Sequence, residues 1–125
     1  MTILPTQSLF AGINKPSDPA NLTDLEKRHL PVITAPDTVK AGQLFEVTVE
    51  VGKLLEHPND RGHFVSFIDL YVGPVYLARL SLTGVMLRPI LKVCVQLDRD
   101  LGPLRAIEVC NIHGAWESMR NIKVM

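Results

Sequence analysis

The stretch Leu44-Phe45-Glu46-Val47-Thr48-Val49-Glu50-Val51 decides the fold. Phe45, Val47, Val49 and Val51 fall on one side of an extended chain, and Glu46, Thr48 and Glu50 on the other. A period of two with β-branched residues is the mark of a strand buried on one face. Working outward, residues 64–72 form a fuller apolar run that holds Ser66 and Asp69. Gly73-Pro74 turns the chain into a run over 75–82, and 90–97 alternates again. Asp98 to Pro103 reads as a turn before a strand over 104–110, and 117–124 closes the set. On the other side, a first strand begins after Pro31. No helical period is sustained after residue 30. About seven short strands with turn signals between them predict an all-β, immunoglobulin-like seven-stranded β-sandwich.

The N-terminal part differs in kind. Pro5, Gly12, Pro16 and Pro19 punctuate it, and Thr23-Asp24 offers cap chemistry for a short helix running to about Lys27. The expected division is therefore an irregular segment over 1–25 and a sandwich domain over 26–125. A chain of 125 residues, 46% apolar, supports one such core and no second domain. Zero formal net charge argues against nucleic-acid binding. No basic leader with an apolar core opens the chain, and no run approaches the ~20 apolar residues that span a bilayer. A cytoplasmic protein without membrane attachment is the expectation.

Cys94 and Cys110 stand only 16 positions apart (94 to 110), which does not suit the inter-sheet disulfide of antibody domains. Cys94, within an alternating run, reads as a small, partly buried side chain. Cys110 reads differently. All four histidines fall with it into three segments: Lys27-Arg28-His29-Leu30-Pro31, His57-Pro58 to His63, and Cys110-Asn111-Ile112-His113-Gly114-Ala115-Trp116. Each segment lies next to a strand, where loops on a rigid sandwich carry sites. One thiolate and four imidazoles form a coherent donor set for a transition metal. Structural zinc takes four ligands, so five candidates fit it poorly, whereas nitrogens in a plane with an axial sulfur suit a redox iron with one position open.

These segments, in this order, resemble superoxide reductase. The resemblance rests on His29 to Ile33, on Val51-Gly52 to His63, and on Cys110-Asn111-x-His113-Gly114-x-Trp116. It covers roughly residues 26–120, and the lack of a Cys-rich N-terminal module makes it the one-iron, neelaredoxin type. The resemblance implies a mononuclear iron with His29, His57, His63 and His113 as equatorial ligands and Cys110 as the axial one. It implies reduction of superoxide to hydrogen peroxide with one electron and two protons. Iron is then re-reduced by an external donor such as rubredoxin, and the protein is a homo-oligomer, often a tetramer. Trp116 would shield the Cys110 sulfur, and the amides of Ile112 and His113 would hydrogen-bond it.

The family carries Glu-Lys directly before the first ligand histidine. The lysine draws in the anion, and the glutamate occupies the sixth position in the resting ferric form. Here the text is Glu26-Lys27-Arg28-His29, one residue longer. Either Lys27 and Arg28 take those places, or a one-residue insertion leaves them to Glu26 and Lys27. Arginine attracts an anion but is a poor proton source. Phe67 stands where the family commonly has tryptophan. Three other functions compete. A blue-copper electron carrier would use Cys110, two histidines and Met119; an interaction domain would hold structural zinc; a relative would run a changed reaction on the same iron scaffold.

Overall fold

The computed structural model describes residues 9–125. Three sheets build the fold. The largest contains β1 (Ile13–Asn14), β5 (Val65–Val72), β6 (Val75–Ser81), β8 (Leu104–Cys110) and β9 (Gly114–Arg120), in the order β1-β9-β8-β5-β6. Opposite it stand β2 (Val32–Thr34), β4 (Leu44–Glu50) and β7 (Ile90–Gln96), in the order β2-β4-β7. A small third sheet pairs β3 (Thr38–Val39) with β10 (Lys123–Val124). All pairings are antiparallel except β1 with β9 and β10 with β3. Among the described residues, seven strands are three residues or longer, as the alternation predicts, and the other three are two-residue pieces. Among the described residues no helix is long and apolar enough to cross a membrane.

The core is the period of two made solid. Val47 and Val49 are completely buried, while Leu44 and Glu46 on the opposite parity are exposed. From the facing sheet, Ile68, Leu70, Val72, Leu104 and Ala106 meet them, each with no exposed surface. The same parity along β8 carries Glu108 and Cys110 inward after Leu104 and Ala106. The strand register thus delivers the Cys110 sulfur to one end of the sandwich interior.

Two boundaries and one burial differ from the sequence reading. The helix α1 spans Asp24–His29 and so includes His29. Thr23 and Glu26 form a reciprocal capping box, and acidic residues lead while basic ones trail, which suits the helix dipole. Leu30 leaves the helix in an extended conformation (φ −65°, ψ 123°) because Pro31 follows. The last long strand starts at Gly114, not 117, because Gly114 at φ +79° closes the turn just after His113. Its continuation, β10, crosses to another sheet. Cys94 is exposed, not partly buried, since it shares the outer parity of β7 with Lys92 and Gln96. It is a free thiol, as is Cys110.

Candidate metal centre

The five side chains arrive from three places in the fold. His29 ends α1, His57 lies in the loop after β4, and His63 precedes β5. Cys110 ends β8, and His113 sits in the turn to β9. The four imidazoles close into a ring of neighbours. Centroid separations are 4.7 Å for His29–His57, 4.9 Å for His57–His63, 4.9 Å for His63–His113 and 4.8 Å for His113–His29. The His29–His63 diagonal is 6.3 Å. Near-equal sides with a longer diagonal describe four rings around a common centre. One donor atom each from His29, His57, His63 and Cys110 lies within 4.8 Å of the others. His113 joins them through Nδ1, which is 3.2 Å from His63 Nε2 and 3.9 Å from the Cys110 sulfur.

Hydrogen bonds set the tautomers that point lone pairs inward. His29 Nδ1 donates to Leu25 O at 2.7 Å, and His57 Nδ1 to Pro58 O at 2.6 Å. Each ring therefore presents a bare Nε2 to the centre. Both Nε2 atoms are buried and have no hydrogen-bond partner among the described residues. An orphaned buried acceptor is costly, and a bound cation is the natural complement of two of them. This donor set therefore fits a metal.

The electrostatics agree. Burial pushes the pKa of His29 down to about 4, and the neighbouring imidazoles push the same way. Burial likewise lowers His57, and burial with His113 lowers His63. Neutral imidazole is the form that binds metal. Burial raises the Cys110 thiol, opposed by the amides of Ile112 and His113; the His113 amide lies 3.4 Å from the sulfur. Trp116 is buried against this end of the sandwich. Its ring stacks on His29 at 5.0 Å, and its Nε1 donates to His113 O at 2.9 Å.

Glu26, Lys27 and Arg28 go separate ways. Glu26 is buried, and its carboxylate accepts from the amides of Thr23 (2.9 Å) and Ser17 (3.0 Å), facing the start of the helix. Lys27 lines a groove with Asn21, Leu22 and Leu54. Arg28 donates to Glu56 O at 2.6 Å and lines a cleft with His57, whose pKa its charge helps depress. Phe67 packs under the guanidinium of Arg79, 3.9 Å from its ring centroid, and that arginine is locked by two bonds to Asp69.

Met119 pairs with Arg105, far along the hairpin from the Cys110–Gly114 pair, and is exposed. It stands at the wrong end of β9 for the methionine of a copper site. The sequence reading also passed over Glu108. It is wholly buried two residues before Cys110, both carboxylate oxygens lack partners among the described residues, and burial raises its pKa well above the usual range. The only signal was its parity with Ala106 and Cys110.

Fold and side chains together define a β-sandwich protein with a mixed histidine–cysteine cluster able to hold a metal ion. Comparison with known proteins narrows the class. The Desulfoferrodoxin family profile matches residues 21–119. A putative superoxide reductase of Methanocaldococcus jannaschii is 39% identical over 116 residues, covering 90% of this chain and 95% of that protein. The structure of the superoxide reductase (neelaredoxin) from Ignicoccus hospitalis aligns at a TM-score of 0.78 with 34% identity, covering 90% of this chain and 95% of that one. That of a putative superoxide reductase from Thermotoga maritima aligns at 0.79 with 28% identity, over 90% and 94%. The chain belongs to the desulfoferrodoxin family, in its one-iron, neelaredoxin-type superoxide reductase branch.

Proposed function

We propose that the protein is a superoxide reductase working at a mononuclear iron held by His29, His57, His63, His113 and Cys110. The observation that carries this reading is the meeting of Cys110 Sγ with inward-facing imidazole nitrogens, two of them buried without partners. Iron, when bound, would supply the one-electron couple and an open coordination position for superoxide. The rest of the chemistry belongs to the chain.

The reaction joins superoxide, one electron and two protons into hydrogen peroxide. An external one-electron donor, rubredoxin being the candidate from the family resemblance, supplies the electron. The His29 and His57 rings are locked by backbone carbonyls, so donor geometry is set before the metal arrives. Trp116 excludes water from the inner side. The amides at Ile112 and His113 hold negative charge on the sulfur and temper its donation. Arg28 lines the cleft beside His57 and draws the anion toward the centre; Lys27, in a separate groove, adds to the field. Glu26 works mainly as the helix cap.

The test is stoichiometric. Iron-loaded protein is given a steady flux of superoxide and an excess of reduced donor, and peroxide and oxygen are both counted. One peroxide per superoxide with no oxygen evolved supports reduction. Half a peroxide and half an oxygen per superoxide would make the protein a dismutase instead.

A further inference from the structure

We infer that Asn111 is a positioning residue of the metal centre, the clamp that fixes His63 relative to the Cys110–His113 turn. The inference rests on the proposed metal-site reading. Cys110 and His113 share one turn and come into place together. His63 belongs to a separate loop, so something must set its distance from the sulfur.

The Asp60–His63 segment is a tight bridge, with Asp60 N to His63 O at 2.9 Å and His63 N to Asp60 O at 3.1 Å. The bridge holds its own shape but does not tie itself to the cysteine turn. Asn111 does so on both sides of the histidine. Its Oδ1 accepts from the Phe64 amide at 2.9 Å, and its Nδ2 donates to Gly62 O at 3.0 Å. Its own amide donates to Phe64 O at 3.2 Å. Three hydrogen bonds thus reach the two residues that flank His63, all from the residue next to Cys110. Only a side-chain amide offers a donor and an acceptor on one carbon in this way. Aspartate keeps the acceptor and loses the donor. Alanine loses both.

Asn59 supplies the comparison. It lies in the same loop and also makes three bonds: to Val85 O (3.2 Å), to Leu87 O (3.3 Å) and from Val85 N (2.8 Å). Those bonds run to a loop that carries no donor. If bracing the loop were all that mattered, removing either asparagine would have the same effect.

Co²⁺ is titrated into the apoprotein of the wild type, N111A, N111D and N59A. The thiolate-to-cobalt absorption is recorded, chelator competition gives affinity, and thermal melts of the apoproteins report folding. Wild-type binding with a thiolate band is expected. N111A should bind roughly 10- to 100-fold more weakly with an altered band, the usual cost of removing a residue that orients ligands. N111D should fall between, which covers the case in which N111A does not fold. N59A should lower the apoprotein melting temperature while keeping the wild-type band. An unchanged band and affinity in folded N111A, or in folded N111D where N111A does not fold, would overturn the inference. So would equal losses in N111A and N59A that follow their melting temperatures. Failure of the wild type to bind Co²⁺ through sulfur would sink the metal-site reading itself.

Discussion

At the scale of single residues, the site is built from groups that the interior would reject without a partner. His29 and His57 each bury a bare nitrogen, and Cys110 and Glu108 have no exposed surface. A cation relieves the first three. Glu108 gains nothing comparable among the described residues, and burial raises its pKa well above the usual carboxylate range. Its folded pKa lies above the unfolded value of about 4.3. The stability it leaves intact is therefore complete below about pH 4.3 and is lost as pH rises through the folded pKa. E108Q removes that loss. In thermal melts of the apoprotein, E108Q should melt above the wild type at pH 8, with the gap closing near pH 4. A gap that persists unchanged at pH 4 would contradict this account.

At the scale of elements, three short pieces hold the donors: the end of α1, the loop between β4 and β5, and the turn from β8 to β9. The helix Asp24–His29 is too short to stand alone and depends on its cap and on burial of Glu26 and His29. T23A removes the side-chain acceptor for the Glu26 amide and should cost about 1 kcal/mol in denaturant melts. The histidine cluster sets the acid limit. Burial pulls the folded His29 pKa down to about 4 from the usual 6.5, and His57 and His63 shift the same way. Depressed histidines stabilise the fold above the unfolded pKa, and that stability is lost as pH falls from about 6.5 toward 4. Denaturant melts of the apoprotein should show stability falling across this window; unchanged stability from about pH 6.5 to 4 would count against imidazoles buried in the neutral form. These elements also mark the reach of the sequence. Strand 104–110 and the alternation of 44–51 were plain because each residue reports its own face. The end of α1 and the start of β9 were not, because a pre-proline residue and a positive-φ glycine set them by backbone geometry. The donor set was legible as three segments of text. The paths of Glu26, Lys27 and Arg28 were not, since a one-residue difference in a helix turns a side chain by about 100°.

At the scale of the whole molecule, net charge is zero, so any attraction of superoxide comes from local cations. Arg28 beside His57 is the strongest local candidate. R28A should slow superoxide reduction by roughly 3- to 10-fold at low ionic strength, with the deficit shrinking as salt screens the field. K27A, in a separate groove, should do less, and equal rates for R28A and wild type at low salt would remove the steering role. The sandwich itself serves as a rigid frame. β8 brings the sulfur inward by parity, and the loops at the same end bring the imidazoles to meet it. Everything proposed here depends on those five side chains sharing one ion. X-ray absorption at the iron edge, on iron-loaded wild type and C110S, tests that directly. Four nitrogen scatterers and one sulfur in the wild type, with the sulfur absent in C110S, is the predicted result. An iron shell without sulfur in the wild type would contradict it.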